Sequence, residues 1–184
     1  MPQTLVIHAH PRPRQSRVTR ALLETLAARP DTAVRSLYEH YPDFDIDVAS
    51  EQEALTHADL LVWVTPVYWY SVPALLKHWF DTVLTHGWAH GKGTQALQGK
   101  RAWWVASAGG TAAAYGSGGH HMRPFADYVA PVEHTARYCG MHWLTPFVAH
   151  GGQRHTPEQL AAEQAELARL AAQHVQAIAG AVRA

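Results

Sequence analysis

Thr65-Pro66-Val67-Tyr68-Trp69-Tyr70-Ser71-Val72-Pro73 joins an apolar run, Asp59 to Val64, to an apolar helical pattern, Ala74 to Leu84. A buried parallel strand reads as such an unbroken run, and ligands of open α/β sheets lie beyond the carboxyl ends of strands. Pro66 and Pro73 stiffen the two sides of the turn. Proline fixes φ and lacks an N–H, so it closes a strand and suits the first turn of the next helix. Three adjacent aromatic residues at a strand end point to a flat ligand, and the remaining backbone N–H groups of the loop are free to face it.

Further β-type runs fall at Thr4 to Ala9, Ala33 to Leu37, Leu60 to Val64, Arg101 to Ala106 and Trp143 to Ala149. Helical patterns lie between them. The first spans Ser16 to Ala28, with Val18, Leu22, Leu23 and Leu26 on one side. Ser50 opens the second, because Ser50 and Glu53 have capping-box spacing. Leu75, Leu76, Trp79, Phe80, Val83 and Leu84 form the wide apolar stripe of the third. A fourth covers Phe125 to Tyr138 with a bend at Pro131, and Thr156, Pro157 and Gln159 open the last with a capping box and a proline at its first position. This alternation predicts a doubly wound, five-stranded parallel sheet with helices on both faces, in one domain over residues 1–184.

The composition narrows the function. Fifteen basic residues balance 15 acidic ones, and charged residues make up 16% of the chain, so no nucleic-acid surface is indicated. One cysteine, Cys139, excludes an intrachain disulfide and any multi-cysteine metal site, and reads as a small buried hydrophobe. The 14 histidines lack an acidic partner at ligand spacing, so no metal site is assigned. The apolar run after Met1 is far shorter than a signal-peptide core, and no window approaches the roughly 20 apolar residues of a membrane span. A soluble, cytoplasmic protein is expected.

Three loops follow the first, third and fourth strands. The first runs from His10 to Thr19 and includes Ser16, Arg17 and Val18. Unpaired N–H groups at its strand-to-helix junction favour an anion, with hydroxyls and basic side chains nearby. Neither a GxGxxG fingerprint nor a Walker loop is present. The second is the aromatic turn, Val67 to Tyr70. The third begins Ser107-Ala108-Gly109-Gly110 and continues through Tyr115, His120 and His121; its glycines allow close approach of backbone to a ring. An anion pocket, an aromatic turn and a glycine edge, all at one sheet end, correspond to the FMN position of a flavodoxin-like strand order.

The chain resembles the flavodoxin-like NAD(P)H:quinone oxidoreductases, and most of all the ancillary subunits of bacterial glutathione-gated potassium efflux systems. The resemblance is carried by Ala9-His10-Pro11 with Ser16, Tyr41-Pro42-Asp43-Phe44, Glu51-Gln52-Glu53-Ala54-Leu55, Trp69-Tyr70-Ser71-Val72-Pro73, His86-Gly87-Trp88-Ala89, Gly109-Gly110 and Tyr138-Cys139-Gly140. It implies that His10, Ser16, Arg17, Val18 and Thr19 surround the FMN phosphate, that Val67, Tyr68, Trp69 and Tyr70 line the isoalloxazine, and that Ser107, Ala108, Gly109 and Gly110 approach it from the other loop. Thr19 and Tyr68 depart from the Asn and Gln that the family often has there.

The resemblance further implies a ping-pong, two-electron reaction, in which NADH or NADPH gives a hydride to FMN, or to FAD, and a quinone then takes it. Tyr115 and His121, with His120 as a neighbouring alternative, match the spacing of a charge-balancing Tyr and His in the mammalian-type reductases. A homodimer is implied. The alternative function is regulatory: an ancillary subunit that binds a potassium efflux transporter at the cytoplasmic face of the inner membrane, with reductase activity secondary.

Overall fold

The computed structural model describes residues 2–93, 96–116 and 118–181, with the backbone but not the side chain of Gln153. Strands β1 (Thr4–His8), β2 (Thr32–Ser36), β3 (Leu60–Pro66) and β4 (Arg101–Ala108) are all parallel, in the order β2-β1-β3-β4. The fifth position is shared by β5 (His142–Trp143) and β6 (Phe147–His150), both parallel to β4. The order is flavodoxin-like, with its switch point between β1 and β3.

The fifth strand, expected unbroken over Trp143 to Ala149, is interrupted. Ala102 faces Trp143 and Val105 faces Phe147, so residues 144–146 stand opposite only Trp103 and Trp104. One extra residue on one strand is a bulge. Pro146 cannot donate to the ladder, and the Trp103 indole Nε1 donates instead to the Thr145 carbonyl at 2.9 Å.

Among the described residues, six α-helices flank the sheet: α1 (Val18–Ala27), α2 (Leu37–His40), α3 (Val48–His57), α4 (Ala74–Val83), α5 (Ala126–Tyr138) and α6 (Pro157–Ala181). Side chains alternate across a strand. Leu5 and Ile7, Leu61 and Trp63, and Ala102 and Trp104 therefore share one core with α2 to α5, while Val6, Val62, Val64, Trp103 and Val105 share the other with α1 and α6. Helices cover both faces, as the alternation predicts.

Local differences have local causes. The helix expected from Ser16 begins at Val18, after a 3-10 turn over Pro13–Gln15, and Ser16 Oγ accepts the Arg20 amide at 3.2 Å. Leu37, expected to end a strand, opens α2. The second long helix starts before Ser50: Asp47 caps it, its carboxylate accepting the Ser50 amide at 3.0 Å. Ser50 Oγ turns instead to Arg35 Nη2 at 3.0 Å. The Thr156–Gln159 capping box forms in both directions, at 3.3 and 2.9 Å. Among the described residues, no helix is long and apolar enough to cross a membrane.

Candidate functional site

The loops after β1, β3 and β4 meet around one cavity of about 500 Å³. From the first loop come His10, Arg12, Gln15, Ser16, Arg17, Val18 and Thr19; from the second, Pro66, Val67 and Tyr68; from the third, Ser107, Ala108 and Gly109. Gly152 completes the lining. It lies on a fourth loop, after β6, that the sequence reading passes over; the Gly151-Gly152 pair behind the last strand is the signal that could have found it. A Cβ on Gly152 would stand 3.3 Å from Val18 Cγ2, so glycine lets this loop close on the start of α1.

The start of α1 is built to hold an anion. Among the described residues, the amides of Arg17, Val18 and Thr19 have no acceptor, as the first turn of a helix leaves them. The Ser16 hydroxyl accepts from Arg20 and keeps its own proton to donate. Thr19 Oγ1 and Ser107 Oγ are 2.7 Å apart, which joins the first loop to the third. The Arg17 guanidinium, through Nη2, donates to the His155 carbonyl. His10 Nδ1 accepts the Arg12 amide at 3.0 Å, so the neutral imidazole carries its proton on Nε2. Burial lowers the His10 imidazole below its ordinary value and favours that neutral form.

The aromatic turn is a two-residue hairpin. Tyr68 and Ser71 exchange backbone hydrogen bonds of 2.9 and 3.0 Å, and Trp69 and Tyr70 have φ of 48° and 64°. Both central residues at positive φ make a type I′ turn, normally the place of Asn and Gly. Tyr68 packs edge-on against His10, with centroids 6.1 Å apart. Trp69, 92% exposed, and Tyr70 are carried outward and do not line the cavity, although their amides have no acceptor among the described residues.

Gly110 likewise stands behind the lining. A Cβ there would meet His121 Nε2 at 2.7 Å and Tyr115 Cε2 at 2.9 Å, so its absence lets those rings lie against the loop. Tyr115 and His121 stack with centroids 4.2 Å apart, and Tyr70 stacks on Tyr128 at 4.9 Å. Burial, and then Tyr70 and Tyr128, push the buried Tyr115 hydroxyl above its ordinary value, which keeps it a hydrogen-bond donor at neutral pH. His120 is exposed beside His121, 5.4 Å between ring centroids. Cys139 is buried. Among the described residues, no group of three His, Cys, Asp or Glu is placed to hold a metal ion.

The lining suits a phosphorylated planar group: amides at the start of α1 with no acceptor among the described residues, the Tyr68 ring, and the Gly109 backbone. The model of a family described by its flavodoxin-like fold matches residues 2–172. The glutathione-regulated potassium-efflux system ancillary protein KefF of Enterobacter sp. (strain 638) is 47% identical over 146 residues, covering 79% of this chain and 82% of that protein. The chain belongs to this flavodoxin-like family, alongside KefF. Among solved structures, the general stress protein 14 of Treponema denticola, in complex with FMN, is 36% identical with a TM-score of 0.84, over 96% of this chain and 99% of that one. An NADPH-quinone reductase from P. pentosaceus is 28% identical with a TM-score of 0.83, over 91% and 96%.

Proposed function

We propose that this chain is the FMN-carrying ancillary subunit of a glutathione-regulated potassium-efflux system, and that the same site gives it NAD(P)H:quinone oxidoreductase activity. The cavity carries the reading: three loops of a flavodoxin-like sheet end converge on it, with three amides at the start of α1 that have no acceptor among the described residues. The relatives named for potassium efflux support the regulatory role, and the quinone-reductase and FMN-bound structures support the chemistry.

Bound FMN would supply two-electron hydride-transfer chemistry between NADH or NADPH and a quinone. The chain's own residues would do the rest. Ser16, Arg17, Val18 and Thr19 hold the phosphate, and His10 Nε2–H donates into the cavity. Val67 and Tyr68 seat the ring system from one side, with Ser107, Ala108 and Gly109 on the other; Trp69, Tyr70 and Gly110 frame it from behind. Tyr115 and His121 supply donors for the negative charge that develops on reduction, and His120 is exposed beside them. Because the phosphate end is the better-defined part of the site, FAD is the alternative form of the cofactor. The active unit is a homodimer, held at the cytoplasmic face of the inner membrane by the transporter.

A visible spectrum of the purified protein, recorded before and after NADPH and then after a quinone, tests the chemistry. A yellow protein that bleaches and recovers is expected; a protein that neither binds FMN nor is reduced sinks the reading. Co-purification with the transporter, and potassium efflux with and without this subunit, test the regulatory half separately.

A further inference from the structure

Tyr115 and His121 do not hydrogen-bond each other: their rings lie face to face, 19° between planes. His121 Nδ1 faces the Tyr70 hydroxyl instead, at 3.4 Å. Its other nitrogen, Nε2, lies beside Gly110, where a Cβ would stand only 2.7 Å away. We propose that Tyr70 is a positioning residue for His121: its hydroxyl donates to Nδ1 and so holds the imidazole proton on Nε2, the nitrogen beside the Gly109-Gly110 loop.

The hairpin explains how Tyr70 comes to be there. A non-glycine residue at positive φ is strained and persists only where its surroundings over-determine it. Tyr70 is held by Tyr128, stacked at 4.9 Å and 28°, and by His121, edge-on at 5.5 Å. The Tyr128 hydroxyl donates to the His121 carbonyl at 3.3 Å, which fixes the same residue from its backbone side. The other titratable side chains against the imidazole are Tyr115 on the 3-10 turn Ala112–Tyr115, His120 beside it, and Tyr128 on α5. Among the described residues none of these bonds either ring nitrogen. The Tyr70 hydroxyl is therefore the group that meets the imidazole at a ring nitrogen, and in the donor role proposed for it the proton is held on Nε2.

The tautomer decides what His121 can do. With the proton on Nε2 the neutral ring offers a donor toward the loop that lines the cavity; with the proton on Nδ1 it offers a lone pair there. Only a donor stabilises negative charge. One partner fixing a histidine tautomer so that the other nitrogen can act is a recurrent device at catalytic and metal sites. The consequence for turnover rests on the proposed flavin chemistry, whereas the tautomer itself does not.

Long-range ¹H–¹⁵N spectra of the histidine side chains in the flavin-free, full-length protein test the assignment, with His121 identified by difference against His121→Gln. The wild type is expected to carry the His121 proton on Nε2 at alkaline pH. In Tyr70→Phe, which keeps the ring stack on Tyr128, the Nδ1 resonance moves toward that of an unbonded acceptor and the Nε2–H fraction falls. A wild-type proton on Nδ1, or identical spectra for the two proteins, would overturn the proposal. In the FMN-loaded protein Tyr70→Phe is expected to lower kcat about five- to tenfold, with the KM for NADPH within about twofold. A tautomer shift with unchanged kcat would refute the functional half. If the wild type itself binds no flavin, the flavin reading fails and the spectra still decide the tautomer.

Discussion

Thr19 Oγ1 and Ser107 Oγ stand 2.7 Å apart, so the first turn of α1 and the end of β4 share one hydroxyl-to-hydroxyl hydrogen bond at the cavity. Thr19 is buried. Thr19→Val keeps the shape and removes the oxygen, leaving the Ser107 hydroxyl without this partner. The expected loss is about 1 kcal/mol in urea-unfolding stability. FMN affinity, followed by quenching of flavin fluorescence, is expected to weaken about tenfold, because the turn proposed to hold the phosphate is no longer tied to the glycine loop. Weakened binding at full stability would mean that the hydroxyl contacts the ligand and not the strand.

Glu51 presents a different kind of buried partnership. Its side chain is fully buried; Oε1 accepts from Arg35 Nε at 2.6 Å and from the Tyr41 hydroxyl at 2.7 Å, and Oε2 from the Trp79 indole at 2.9 Å. The carboxylate thus joins α3 to β2, to the residue after α2, and to α4. Removing one member of a buried ion pair leaves the other charge uncompensated, so Glu51→Ala is expected to destabilise by about 3–5 kcal/mol. Replacing Arg35 and Glu51 together should lose less than the sum of the single changes, and a double-mutant cycle by urea unfolding measures the difference. Strict additivity would contradict the coupling.

Much of this molecule is legible in its sequence because burial and periodicity dominate there. Leu60 to Val64 and Arg101 to Ala106 read as strands because both of their faces are buried, and they are strands. The bulge at residues 144–146 is not legible, because the Trp103 indole that satisfies it lies about forty residues away in the chain. Asp47 and Ser50 both have cap chemistry, and the choice of Asp47 follows from Arg35 claiming the Ser50 hydroxyl, a contact across the fold. At the site, loop positions can be read because strand ends converge in this topology. The left-handed backbone of Trp69 and Tyr70 cannot, since neither residue favours it and the rings packed on Tyr70, those of Tyr128 and His121, come from far along the chain.

His8 gives the fold an acid-sensitive element. It is buried at the end of β1, its Nδ1 3.1 Å from Ser36 Oγ and its Nε2 without a partner among the described residues. Burial, and then the charge of His10, lower its imidazole from 6.5 to about 4. The unfolded chain therefore takes up the proton first as the pH falls. The stabilisation from keeping His8 neutral is complete above about pH 6.5, declines between 6.5 and 4, and levels off below. Its full size is about 3 kcal/mol. Burial lowers His10, His150 and His174 as well, and they add to the same trend. Urea midpoints across this range should fall steeply for the wild type and less steeply for His8→Gln. Parallel curves for the two proteins would show that His8 does not titrate with folding.

Trp69 combines strain with exposure. At φ 48° it sits at the first central position of a type I′ turn, and its indole is 92% exposed, so neither backbone preference nor packing within the chain favours tryptophan there. Asparagine tolerates this conformation far better. Trp69→Asn is therefore expected to raise the unfolding free energy by about 0.5–1 kcal/mol, read from urea or thermal denaturation. Strain of this kind, kept at a loop beside a ligand cavity, is a mark of use rather than of folding. Quinone turnover by the FMN-loaded protein should accordingly fall several-fold in the same variant, through an indole that meets the substrate or a second subunit. A variant both less stable and fully active would reverse the assignment and make the indole a folding contact.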